Sequence, residues 1–234
     1  MGVPVHGIFS PEASLRNGAA HAQTPPLTLT EQITQASRMC DRQQVSWEFT
    51  ALAQHSTTSI CARWQQKDLL ILNHRFAYLR ELIEARSRQD QGLLVCPEPF
   101  EGVSRILLLD QGDHPGKDWA EVARQLQGWF QADFVLLTLA SSERAGKSRQ
   151  EEIWKAFAPT SLHVEFDLLV APISEVVKKI ACWRRCSLVV LEKSSHSWWG
   201  RWRRDPAEEL VTNEAGPALL ALPEGRLLLQ NHGT

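Results

Sequence analysis

The residues best placed for chemistry lie at strand ends in the second half of the chain. Arg105-Ile106-Leu107-Leu108-Leu109 is an apolar run that stops at Asp110-Gln111-Gly112. An aspartate there can end the strand and cap the following turn. A second run, Ser187 to Leu191, leads into Glu192-Lys193-Ser194-Ser195 and later Asp205-Pro206. The stretch from Ser194 to Ser197 offers hydroxyls and backbone N–H groups to a small anion. It has no glycine to let the backbone approach closely. Asp205 adds negative charge, and Pro206 removes an N–H donor. Ser194, Ser195 and His196 are adjacent, but loop neighbours do not form a nucleophilic triad and no G-x-S-x-G elbow occurs. No paired carboxylates stand out for acid–base work, so the sequence predicts no enzyme.

Two further clusters compete for a role. Trp198-Trp199-Gly200-Arg201-Trp202-Arg203-Arg204 interleaves three Trp with three Arg. Such a segment can stack on bases or lie at a membrane surface. The blander alternative is Trp packed on a sheet edge beside solvated Arg, with Asp205, Glu208 and Glu209 offsetting the charge. Cys182 and Cys186 lie four apart on a predicted helix. No His or second Cys pair has zinc-site spacing, so they read as small apolar residues rather than a metal or redox pair. His163 falls on a predicted strand and reads as structural.

Bulk composition narrows the classes. The 234 residues are 43% hydrophobic and 22% charged, which is ordinary for a globular protein. A net charge of -2 argues against nucleic-acid or membrane affinity of the whole molecule. No apolar run is long enough to span a membrane. The N-terminus lacks the basic start and apolar core of a secretory signal. With five scattered Cys, this predicts a cytoplasmic protein with free thiols.

Strand-like and helix-like segments alternate along the chain. Strands are predicted near 3–9, 45–49, 68–72, 93–96, 105–110, 134–139, 162–166, 187–191 and 218–222. Helices are predicted from Thr28 or Thr30 onward and near 57–65, 76–88, 117–130, 148–157, 173–183 and 205–214. The segment 117–130 puts Trp119, Val122, Ala123, Leu126 and Trp129 on one side. Residues 226–230 form a further apolar segment, a candidate edge strand. The alternation predicts a doubly wound α/β sandwich with a parallel sheet and helices on both faces.

One pattern occurs twice. Asp68 to Leu72, an arginine-rich segment and Leu93 to Pro97 are matched by Ser187 to Leu191, an arginine-rich segment and Ala218 to Pro223. A period of roughly a hundred residues means a duplicated domain rather than a solenoid unit. Here the second half, about 104–223, resembles a universal stress protein domain. The resemblance rests on the βαβαβαβαβ order, on Leu109-Asp110, on Ala207-Glu208-Glu209-Leu210-Val211 and on Gly216-Pro217-Ala218-Leu219-Leu220-Ala221-Leu222-Pro223. The first half resembles the same family from its second strand onward, which implies that it lacks the first strand and helix, for which residues 1–9 offer a substitute.

The resemblance implies an adenine nucleotide alpha hydrolase-like sandwich in two tandem copies, 1–100 truncated and 101–234 complete. It implies strand order 3-2-1-4-5. It also implies a pseudo-dimer whose last strands, 93–96 and 218–222, lie near a shared interface. ATP-binding members hold phosphates on a Gly-x-x-Gly loop after strand four and a Gly-Ser/Thr before the last helix. Glu192 and Ser195 stand where those glycines belong, and Asp205-Pro206 where Gly-Ser belongs. Asp110 matches the family aspartate that contacts the nucleotide. The implied site, in degenerate form, is Asp110, Gln111, Thr138, Glu192, Ser194, Ser195 and Asp205, with no cofactor expected; the alternative is ATP or AMP in the second copy. The expected role is a non-enzymatic stress-response protein acting by protein association or self-association as a dimer.

Overall fold

Alternating apolar strands and one-faced helices bury their apolar surfaces only in layers, and the computed structural model shows how. It describes residues 5–9, 47–51, 69–73, 79–89, 92–97, 102–111, 118–170, 174–192 and 216–222, together with residues 30, 34, 37, 38, 41, 42, 58, 60, 61 and 210. Nine strands are described: β1 (Val5–Phe9), β2 (Trp47–Ala51), β3 (Leu69–Asn73), β4 (Gly92–Cys96), β5 (Arg105–Gln111), β6 (Asp133–Ala140), β7 (Val164–Val170), β8 (Leu188–Glu192) and β9 (Ala218–Leu222). Four helices join them: α1 (Leu79–Gln89), α2 (Trp119–Phe130), α3 (Glu143–Phe157) and α4 (Ser174–Trp183).

By compactness the chain divides into two units. One is Met1–Arg63 with Arg75–Tyr78; the other is Trp64–His74 with Leu79–Thr234. This division falls inside the expected first copy, because β3 and β4 belong to the sheet that also contains the second-half strands.

In the smaller unit β1 and β2 pair in parallel, from Val5↔Trp47 to Phe9↔Ala51. The strand expected near 3–9 is present as β1, in a two-stranded sheet with β2. Parallel neighbours need a long crossover, and Thr30, Thr34, Ser37, Arg38, Asp41 and Arg42 in the connection are helical. Within it the Thr34 hydroxyl donates to the Thr30 carbonyl at 2.7 Å.

In the larger unit seven strands run in the order β3-β4-β9-β8-β5-β6-β7. The second-half strands thus follow the order 3-2-1-4-5, read from the β7 edge. Among the described strands the one antiparallel contact is β4 with β9, Leu93↔Ala221, Leu94↔Leu220 and Val95↔Leu219. The two strands expected at a shared interface therefore pair directly.

The central β5 is buried along its apolar length and is flanked by β8 and β6. One sheet face carries Ile106, Leu108, Phe134, Leu136, Leu188, Val190 and Leu220. Packed with it are Trp119, Val122, Ala123 and Leu126 of α2 and Ile153 and Phe157 of α3. Right-handed crossovers place α2 and α3 on this face and, where the chain doubles back to β8, put α4 on the other.

Several helix boundaries follow from caps. Asp118 accepts from the Glu121 N–H at 3.1 Å and starts α2; Gln131, at φ 49°, closes it. Ser142 accepts from the Ala145 N–H, so α3 begins at Glu143 rather than near 148. The capping serine outweighs Gly146, whose poor helix propensity weakens the pattern. Strand β7 extends to Val170 rather than 166, because it follows β6 from Phe134↔Val164 to Ala140↔Val170. The predicted helix 205–214, apart from the helical Leu210, and the segment 226–230 lie outside the described residues.

Candidate functional site

In an open α/β sheet, ligands sit beyond the carboxyl ends of the strands where the winding reverses. Here the chain leaves β5 towards β6 and β7, then returns to β8 on the other side. The reversal lies at the ends of β5 and β8. Asp110, next to the end of β5, is 0% exposed. Glu192 follows the Leu109↔Leu191 pair, so the two carboxylate residues stand at the same level on neighbouring strands. Thr138 sits directly across from Asp110 on β6.

Asp110 is already fully engaged by the protein. The Trp119 indole N–H, from α2, donates to its Oδ1 at 2.8 Å. Arg149, from α3, donates through Nη2 to Oδ1 at 3.1 Å and through Nε to Oδ2 at 3.2 Å. A two-pronged guanidinium contact of this kind recognises an ionised carboxylate. Burial pushes the Asp110 carboxyl above the ordinary aspartate value, against the pull of Arg149 and Trp119. Arg149 also donates through Nη1 to Glu152 at 3.3 Å, and its own side chain is only 13% exposed. Across the sheet from Asp110, the buried Thr138 hydroxyl has no hydrogen-bond partner among the described residues.

A second charged cluster occupies the opposite sheet face. Arg184, just after α4, donates through Nε to Asp167 at 2.8 Å and through Nη1 to Glu165 at 2.8 Å. Arg105 also pairs with Glu165. The Arg184 guanidinium lies 4.5 Å from the Trp183 ring centroid. Cys186 is buried beside these charges, and burial pushes its thiol from 9.0 up to about 11. It is therefore a neutral packing group. This network fastens the end of α4 to β7 and β5. Among the described residues no group of three or more His, Cys, Asp or Glu could hold a metal ion. No described helix is long and apolar enough to cross a membrane.

The structure thus brings Asp110, Thr138 and Glu192 to one end of the sheet. Gln111 ends β5 beside them. Ser194, Ser195, Asp205 and the Trp198–Arg204 segment lie outside the described residues. The sequence reading missed Arg149 and the partnership of Trp119. Trp119 was legible as a packing residue, and a buried indole N–H needs an acceptor. Nothing local in the sequence marks Arg149, which reaches Asp110 across 39 positions.

No protein-family model and no curated protein matches the sequence. Solved structures do match the fold. A functionally unknown protein from Pseudomonas aeruginosa PAO1 is 11% identical, with a TM-score of 0.58 over 94% of this chain and 92% of that one. A universal stress protein from Archaeoglobus fulgidus is 9% identical, with a TM-score of 0.56 over 84% of this chain and 76% of that one. A protein from Pseudomonas aeruginosa UCBPP-PA14, provisionally named a universal stress protein, is 12% identical, with a TM-score of 0.55 over 94% and 82% of the two chains. At such identities the likeness is one of fold, and it agrees with the strand order and layering described above: the chain has the universal stress protein fold.

Proposed function

We propose that this is a cytoplasmic, non-enzymatic regulatory protein of the universal stress type, whose nucleotide site is degenerate and which acts through protein association. The observation that carries the reading is the state of Asp110. In the family resemblance that residue contacts nucleotide, whereas here Arg149 and Trp119 occupy both carboxylate oxygens and leave the group without exposed surface. The replaced glycines at Glu192, Ser195 and Asp205-Pro206 act in the same direction. A phosphate site needs close backbone approach and free N–H groups.

Tandem duplication is part of the same proposal. In the pairing of β4 with β9, the third residue of each strand, Leu94 and Leu220, face one another. Such self-complementary pairing is what a pseudo-twofold axis between two copies requires.

Calorimetric titration with Mg-ATP tests the nucleotide half of the reading. No binding in the micromolar range is expected. Micromolar affinity that disappears in Asp110→Ala would replace the proposal with the ATP- or AMP-binding alternative. Sedimentation velocity across a concentration series tests self-association, where a mass that rises with concentration is the supporting result.

A further inference from the structure

We propose that the C-terminal end of α4 is the surface by which this protein binds a partner, and that the partner presents an acidic segment carrying an apolar side chain. This rests on the reading that the protein acts by association, and it names the surface and the partner's chemistry. Its centre is Trp183, the last residue of α4, which is 73% exposed. Trp and Arg are the residue types that most often carry binding energy, because a large ring gains most when a partner covers it.

Trp183 is held in place before any partner arrives. The Arg184 guanidinium lies 4.5 Å from its ring centroid. Arg184 is itself fastened to Asp167 and Glu165, each at 2.8 Å. The helix closes just beyond, with Arg185 at φ 54°. There the Cys186 N–H donates to the Ala181 carbonyl at 2.8 Å and the Arg185 N–H to the Cys182 carbonyl at 3.0 Å. This two-bond ending fixes the backbone that carries the indole. A side chain ordered in advance loses less entropy on binding.

The charge around the indole selects the partner. Lys179 stands four positions before Trp183, on the same stripe of α4, and Arg185 follows two positions after it. Both are exposed, and among the described residues neither side chain forms an ion pair. Arg105 and Arg184 are matched by Glu165 and Asp167. Two unmatched cations therefore flank one exposed ring. The acid on the same stripe, Glu175, lies two turns back, about 12 Å along the axis. An apolar side chain can cover the ring while carboxylates on either side of it pair with Lys179 and Arg185 at the rim. Two free cations are too few to follow a phosphate backbone, and a chain of net charge -2 repels one.

The test uses the full chain and, as the probe, a fluorescent random copolymer of glutamate and tyrosine, followed by anisotropy. Wild type should bind it saturably, and more weakly as salt rises. Polyglutamate without tyrosine should bind about tenfold more weakly. Trp183→Ala should weaken copolymer binding about tenfold or more. Lys179→Glu with Arg185→Glu should do the same and remove the salt dependence. All three positions are exposed, so melting temperatures should stay within about 2 °C of wild type. Trp154→Ala changes a Trp that is 59% exposed on the other sheet face, and it should bind like wild type. Four results would each overturn the proposal: no saturable binding by wild type, undiminished binding by Trp183→Ala, an equal loss in Trp154→Ala, or tighter binding of oligodeoxythymidylate or phosphatidylserine vesicles than of the copolymer. The Mg-ATP titration and the sedimentation series are read on wild type without the copolymer, so this surface and the broader reading fail separately.

Discussion

At the scale of single residues, the buried pair Asp110–Arg149 sets the largest expected effects. A buried ion pair adds little over a well-packed apolar pair, but losing one partner strands a charge. Arg149→Ala is expected to cost about 3–5 kcal/mol in urea unfolding. Replacing both members, Asp110→Leu with Arg149→Met, should cost clearly less. Equal losses in the single and double variants would show that packing, not charge, governs the site. Cys186 supplies a pH signature. Its folded value is raised, so the stability it contributes is complete below pH 9.0 and is lost as pH climbs towards about 11. Up to about 2–3 kcal/mol is involved. Cys186→Ala should lack this loss when unfolding free energies of the two proteins are compared from pH 8 to 11. An identical pH dependence in both would count against a buried thiol.

At the scale of elements, two helix glycines separate propensity from packing. A Cβ on Gly128 of α2 would meet nothing within 4 Å. Gly128→Ala should stabilise by about 0.5–1 kcal/mol, the ordinary gain in a helix. A Cβ on Gly146 of α3 would lie 2.2 Å from Leu168 Cδ1 and 3.1 Å from the Ala140 Cβ. Leu168 could swing aside, but Ala140 is fully buried on β6. Gly146→Ala should therefore destabilise by about 1–2 kcal/mol. Thermal melts of the two variants should move in opposite directions; a stabilised Gly146→Ala would mean that α3 sits further from the sheet. Element types were largely legible from apolar periodicity. The ends were less so, as at α3, because a cap and a glycine give opposing local signals.

At the scale of the whole molecule, the sheet joins segments far apart in sequence. Strand β4 finds its partner in β9, and both are buried at the contact through Leu93, Val95, Leu219 and Ala221. Residues 101–234 expressed alone would leave the β9 edge without β4. An uncovered apolar edge strand invites pairing with another chain. That fragment is expected to self-associate or precipitate, whereas a soluble monomer melting at the temperature of the full chain would show that β4 adds nothing. Leu220→Ala, at a position 2% exposed in the centre of the junction, should cost about 2–5 kcal/mol in the full chain.

The meeting of 93–96 with 218–222 came from the family resemblance, whereas the sequence by itself determined the α/β class and the central apolar strands. These features repeat over short, regular intervals, and burial enforces them wherever the chain goes. It also marked Asp110 as the residue to watch, because a charge that ends an apolar strand is a local signal. Only the tertiary structure decided what Asp110 does. Trp119 and Arg149 come from two different helices, and their convergence depends on how α2 and α3 lie across β5 and β6. The network of Arg184, Glu165, Asp167 and Arg105 is of the same kind, joining residues up to 60 positions apart. Side-chain pairing at such separations leaves no periodicity to read. It is fixed by packing direction and by the cost of leaving a buried charge alone.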